Sequence, residues 1–536
     1  MASRLRNYLL VPLFVIVGSI GAGIFTSGHV SAATGPDDAS VTQSLKSFTQ
    51  IYDVVEQNFA EPVKADKAIY KGAIPGMLRT LDPHSNFFDP KDYAALRADQ
   101  RDHYFGIGMQ VAQHGTKVVV MAPFAASPAY KAGLRPGDVI VEVNDKKTDG
   151  LGVSEVADLL RGPRGTHVQV KVARDGADAP LSFNIIRDEI PHASTSEAFW
   201  LKPGIAYIKV LQFNENTAKE MADKLKALGE KDIKGLVLDL RENPGGLLNE
   251  GVEVAGHFLK KNELVVSDRG RAQPNKNYVS HGDNSGKDYP IVVVVNRYSA
   301  SAAEIVTGAL QDHDRGWVLG ETTFGKGLVQ QVFQLSENTG LALTTAHYYT
   351  PSGRLIQRDY SNISFLDYYY NTNNREQKNL NDVKMTDNGR TVYGGGGITP
   401  DEKYEAPKLN KFQIEVLRKF AVFNFSSQYF GSKPDTKLSK GWEPDEALVE
   451  SFHQFMLKNG IEFTEAEFAE NHQWVKDQLK HELYITAFGL DESERVKIEQ
   501  DPEVMRAIEA MPKAKQLLDS AKKQIVQRMI HQDRAE

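Results

Sequence analysis

Between residues 186 and 405, apolar runs alternate with amphipathic ones. The runs Ile205–Val210, Leu236–Leu240, Ile291–Val295, Val318–Gly320 and Leu341–Ala346 predict strands. Thr217–Leu228, Leu248–Leu259 and Ala302–Gln311 carry apolar residues at helical spacing and predict helices. Ile291–Val295 has no polar position at all, which places it in a sheet buried on both faces. Such alternation predicts an α/β core. Residues 39–100 read as helical, with Val41, Leu45, Phe48, Ile51 and Tyr52 on one face and Asp82-Pro83 as a stop. Residues 103–175 change character. Val118–Met121, Val139–Val143 and the alternating His167–Val172 predict strands around two short helices, Pro128–Gly133 and Val153–Leu160. The polar stretch Asn371–Asn388 reads as a long loop, and Gly394–Gly397 as a tight bend. Residues 406–536 are helical again, with a Thr464/Glu467 capping box and an Asp501-Pro502 helix start.

The expected division is therefore 1–35, a targeting segment; 36–102, helical; 103–175, a small mixed module; 186–405, the core; and 406–536, helical. At roughly 150 residues per domain, 536 residues also suggest three to four domains. In the first segment, Arg4 and Arg6 precede an apolar run from Tyr8 to Phe25, followed by Ser31-Ala32-Ala33 and the acidic pair Asp37-Asp38. Basic, apolar, then acidic is export topology, with the body outside the cytoplasmic membrane. At ~27 Å the run is long for a cleaved signal and short for an anchor, and both readings stand. It is the single segment through which the chain would touch a membrane. The net charge of 63 − 70 = −7 argues against a nucleic-acid partner. The absence of cysteine excludes disulfides, thiolate metal sites and cysteine nucleophiles.

Three segments carry candidate chemistry. Ser301 sits where the apolar strand Ile291–Val295 meets the helix from Ala302. Amide groups at that helix start can stabilise an oxyanion on a carbonyl that Ser301 attacks, although a serine there can equally be a plain cap. Gly320–Gly327 (GETTFGKG) nearly matches a phosphate-binding loop, but Gly327 stands where the hydroxyl is needed. Taken alone, Lys326 between two glycines reads either as a solvated turn lysine or as a buried, neutral amine able to take a serine proton. Asp239–Gly246 (DLRENPGG) follows a buried strand, and reads either as a tight turn whose free amides could serve an oxyanion or as a plain strand-to-helix turn. No HExxH and no zinc-spaced histidine pair occurs.

Together, DLRENPGG, Asn296–Ile305 (NRYSASAAEI), Gly320–Gln330 (GETTFGKGLVQ), Thr350–Gly353 (TPSG), Gly394–Pro400 (GGGGITP) and Leu81–Ser85 (LDPHS) resemble the carboxyl-terminal processing peptidases, or tail-specific proteases. The serine–lysine spacing of 326 − 301 = 25 and the lysine–glutamine spacing of 330 − 326 = 4 are those of the family's Ser–Lys–Gln set. The resemblance implies a crotonase-like α/β peptidase core, with Ser301 as nucleophile, Lys326 as general base and Gln330, next to Gln331, as the residue that orients the lysine. It implies an oxyanion hole from Ala302 and one of Gly245 and Gly246. The small module resembles a PDZ domain, with Gly106, Ile107, Gly108 and Met109 as the loop that binds a substrate's terminal carboxylate. Apolar Ile107 and Met109 would favour substrates with an apolar last residue. No cofactor or metal is implied. A homodimer and a helical-repeat lipoprotein adaptor are the partners the family suggests, and the periplasm the compartment. The rival readings, a non-catalytic PDZ scaffold and an apolar-ligand binder, sit poorly with Ser301, Lys326 and Gln330 all present.

Overall fold

The computed structural model describes residues 38–99, 103–282, 287–361, 363–364, 367–368, 379–433 and 436–533. The expected targeting segment lies outside them, and no described helix is long and apolar enough to cross a membrane.

The core is a six-stranded sheet whose strands lie side by side in chain order. They are β1 (Phe199–Lys202), β2 (Ile205–Lys209), β3 (Gly235–Asp239), β4 (Ile291–Val295), β5 (Gly316–Gly320) and β6 (Glu402–Lys403). The β1–β2 pair is antiparallel and every later pair parallel. Three helices follow strands: α1 (Thr217–Leu228), α2 (Leu248–Gly256) and α3 (Ala302–Asp312). Parallel strands that always step the same way, joined by right-handed crossovers, put their helices on one face. That is observed: Ile208, Leu238, Val293 and Val318 share a core cluster with Met221, Val252 and Val306 of these helices.

The alternate residues, Tyr207, Val237, Val292, Val294 and Leu319, point to the other face. The cover there comes from the tail. Helix α4 (Pro502–Asp533) packs Val504, Ala507, Ala510, Met511 and Ala514 onto them. Asp501 accepts the Glu503 and Val504 amides at its start, as the Asp-Pro signal predicts.

An antiparallel sheet flanks the core. Strand Gly340–Tyr349 lies at its centre, pairing with Asn86–Phe88, Leu264–Arg269 and Leu328–Gln334. Residues 36–102 are not wholly helical, because Asn86–Phe88 is a core-domain strand. The polar stretch is not all loop, because Asn379–Met385 pairs with Thr391–Gly394. The small module also runs beyond residue 175, since Leu181–Ile186 pairs with His167–Ala173. Helices between Lys411 and Phe488 form a separate aromatic-rich cluster around Phe412, Phe425, Phe452 and Leu479.

Candidate active site

Three segments leave the carboxyl ends of adjacent parallel strands, where open α/β sheets hold their sites. Turn 241–246 follows β3, the Ser301 turn follows β4, and the Lys326 loop follows β5. In the second, Ser299 does the structural bonding: its hydroxyl donates to the Leu240 carbonyl (2.8 Å) and accepts the Asn296 amide (2.9 Å). Ser301 is left at the head of α3 with φ 55° and ψ −116°. A non-glycine residue held at positive φ marks strain that the surroundings must impose.

Glu304, one turn into α3, imposes much of it. Its buried carboxylate accepts the Ser301 amide (2.9 Å), the Lys326 amide (2.9 Å), the Gly325 amide (2.7 Å) and the Thr323 hydroxyl (2.5 Å). Burial pushes this carboxyl up to about 7, against four donors that favour the charge. The Tyr348 hydroxyl adds a second brace, donating to the carbonyls of both Ser301 and Lys326. The serine and lysine backbones are thus tied together twice.

Lys326 is fully buried, and desolvation pulls its amine down to about 7, against attraction from Asp82 and Glu304. Its glycine neighbours permit this. A Cβ on Gly327 would lie 2.8 Å from the Gln357 amide, and one on Gly325 3.0 Å from the Gly397 amide. Lys326 Nζ donates to Gln330 Oε1 at 3.0 Å. Gln330 is buried, and its Nε2 has no partner among the described residues. Gln331 is used elsewhere, accepting from Gln273 (3.0 Å). Phe324, Arg358, His84 and Tyr368 close over the loop, with Arg358 4.6 Å from the Phe324 ring and 4.3 Å from the Tyr368 ring. His84 Nε2 lies 3.0 Å from the Tyr368 hydroxyl, and burial holds the imidazole well below its usual pKa.

In the third segment, Gly245 packs against the serine: a Cβ there would lie 2.6 Å from Ser301 Cβ and 3.0 Å from the Ala302 amide nitrogen. The Gly245 amide is already bonded to Asn243 Oδ1 (2.8 Å). The amides of Gly246 and Ala302 have no such partner among the described residues. Among the described residues no His, Asp and Glu cluster suits a metal ion.

The family described as peptidase family S41 matches residues 204–362, a PDZ domain matches 119–174, and the N-terminal domain of the activating protease CtpB matches 26–92. A carboxy-terminal-processing protease of Bartonella bacilliformis is 37% identical over 348 residues, covering 63% of this chain and 79% of that protein. The carboxy-terminal processing protease CtpB of Bacillus subtilis is 36% identical, over 61% of this chain and 68% of its own. A carboxyl-terminal-processing protease of Synechocystis is 32% identical, over 67% and 87%. The chain belongs to peptidase family S41. It is a serine peptidase of the carboxy-terminal processing group and carries a PDZ domain.

In this S41 peptidase the PDZ strand Met109–His114 is a sheet edge, beside helix Val153–Leu160. The Ile107 carbonyl accepts the Ala129 amide (2.8 Å), and the Gly108 carbonyl accepts the Ser127 hydroxyl (2.7 Å). In trans peptides the next amides, of Gly108 and Met109, then point the opposite way, off the module. The Ile107 side chain is buried in the module's core, and Met109 is half-buried.

The residues that sequence reasoning missed in the S41 site are Glu304 and Tyr348. Glu304 stands three positions after Ser301, the spacing of a capping box, and that was its one local signal. Tyr348 carried none, because its two acceptors are 47 and 22 positions away.

Proposed function

We propose that this S41 peptidase cuts peptide bonds with a Ser301–Lys326 dyad and takes hold of substrates by their free carboxyl terminus. The observation that carries the reading is the buried amine, pulled to about 7, on a loop whose backbone shares the Glu304 and Tyr348 braces with the serine. Neutral Lys326 takes the Ser301 Oγ proton as Oγ bonds to the peptide carbonyl carbon. The carbonyl electron pair moves to oxygen, where the amides of Ala302 and Gly246 receive it. The unpartnered Gly246 amide favours it over Gly245, whose role is close packing. Collapse breaks the C–N bond, and the Lys326 proton leaves with the amine. Water, giving its proton to Lys326, then frees the acyl group and restores Ser301. Gln330 fixes the amine's direction. The mechanism calls for no metal or cofactor.

At the PDZ edge, the outward amides of Gly108 and Met109 suit a terminal carboxylate, and the open strand suits added peptide. The substrate class is thus protein chains with accessible ends, apolar at the last residue where the Ile107 and Met109 side chains adjoin those amides. Beyond the substrate, helix Asp38–Asn58 exposes Val41, Leu45, Phe48 and Val55 along one stripe, continued by Phe59, which suits a second copy or a helical adaptor. The N-terminal apolar segment supports a location outside the cytoplasmic membrane, cleaved or anchored.

The test is cleavage of an unfolded reporter with an apolar free carboxyl end by the full chain. Ser301→Ala and Lys326→Ala should each abolish turnover, and an amidated reporter should be cut more slowly. Equal cutting by Ser301→Ala and the parent would sink the dyad; equal cutting of the amidated reporter would sink carboxylate capture.

A further inference from the structure

Turn 241–246 is tied to a distant part of the chain. Arg241 opens the turn, and its guanidinium is held by three carboxylates. Nε and Nη2 grip Asp239 at the end of β3 (3.0 and 2.6 Å), and Nη1 reaches Asp501 (2.8 Å) and Glu503 (2.9 Å). Asp239 is itself fully buried and accepts the Tyr207 hydroxyl (2.8 Å). Glu503 is almost as buried and belongs to the first turn of α4, more than 260 residues after Arg241. Its other oxygen lies 3.0 Å from where a Cβ on Gly320 would stand. Gly320 ends β5 and starts the segment leading to Lys326.

Beyond Arg241 the turn is pinned step by step. The Glu242 amide donates to Asn296 Oδ1 (3.1 Å), Asn243 Nδ2 donates to the Val210 carbonyl (2.8 Å), and the Gly245 amide donates to Asn243 Oδ1 (2.8 Å). A guanidinium caught on both edges cannot swing, so the residue that starts this sequence is fixed in direction.

We propose that Glu503, seconded by Asp501, is a positioning residue for the reaction: from the start of α4 it locks Arg241, and through Arg241 the glycine turn that faces Ser301. The inference rests on the Ser301–Lys326 reading. It gives the carboxyl-terminal region a part in the site that the matched family segment, residues 204–362, does not contain. Other anchors of the same helix lie away from the turn. Arg506 pairs with Glu402 (2.7 Å), on β6.

The experiment compares Glu503→Gln, Glu503→Asp and Arg506→Ala in the full chain, with kcat, KM and Tm measured for each. Glu503→Gln keeps the shape and removes the charge. Its kcat should fall at least tenfold with KM within twofold, and its Tm should fall no further than that of Arg506→Ala, which should keep full kcat. Glu503→Asp, which keeps the charge, should recover part of the lost kcat. If Glu503→Gln is as active as the parent, or if both variants lose activity only in step with Tm, the positioning role is wrong. Should Glu503→Gln not fold, Asp501→Asn takes its place under the same criteria. Ser301→Ala runs beside them: cleavage by that variant would put the fault in the dyad reading instead.

Discussion

A lysine without water around it is costly to charge, and that cost gives Lys326 its chemistry. Its amine falls from 10.5 to about 7, so the neutral form needed of a base is well populated at neutral pH. Turnover should therefore rise with pH through about 7 and level off above it, which a pH–kcat/KM profile reads directly. The stability consequence has a definite sign. Between about 7 and 10.5 the unfolded chain holds a proton on this lysine that the folded chain does not, so the group's stability term rises with pH across that window. Below about 7 the folded state carries a buried charge. Lys326→Met removes this burden and should raise Tm at pH 7 by several degrees while abolishing activity. At this scale the sequence singled out Ser301, Lys326 and Gln330 through motifs local in the chain, and the fold brings Lys326 Nζ to 3.0 Å from Gln330 Oε1. Glu304 was not singled out, since its acceptor role depends on Thr323, Gly325 and Lys326, which only the fold brings to it.

Among the elements, the tight turn 241–246 has the least room for change. Gly246 has φ 141°, and a Cβ there would lie 2.1 Å from the Phe213 carbonyl oxygen. That neighbour is backbone and cannot rotate away. Gly246→Ala should displace the amide assigned to the oxyanion, lowering kcat by about a hundredfold or more, the usual scale for one lost donor. Overpacking should also cost about 1–3 kcal/mol in urea unfolding. Element prediction succeeded where hydrophobic period was clear: β4 and α1 were read with the ends the structure gives. It failed for Leu328–Gln334, whose paired glutamines break the apolar pattern although the strand is largely buried. It failed also for Asn379–Met385, a polar strand whose partner is its own hairpin. In both, pairing decides the conformation and composition does not announce it.

For the molecule as a whole, strand order has the largest consequence. Six strands in chain order put three helices on one side, and α4 supplies the other layer. Met511 sits deep in that layer, its sulfur 2.9 Å from where a Cβ on Gly235 would stand. Met511→Ala should destabilise the whole peptidase domain by about 2–5 kcal/mol, measured by urea unfolding, because the contact is to the central sheet. The helical character of residues 406–536 was readable from its start signals, the Thr464/Glu467 box and Asp501-Pro502. Its partner was not, because an amphipathic pattern shows that a face is covered and leaves open what covers it.

The same arrangement sets a timetable. Synthesis delivers β5 by residue 320 and α4 only from residue 502, an interval of 182 residues. At about 5–20 residues per second this lasts about 9–36 seconds. Throughout it, Tyr207, Val237, Val292, Val294 and Leu319 have no cover, and a sheet bare on one side is a poor frame for strained backbone such as that at Ser301. A nascent chain stopped before residue 502 should therefore cleave nothing, and its bare sheet face should make it prone to aggregate, which cleavage and light-scattering assays on a chain truncated at residue 500 would check.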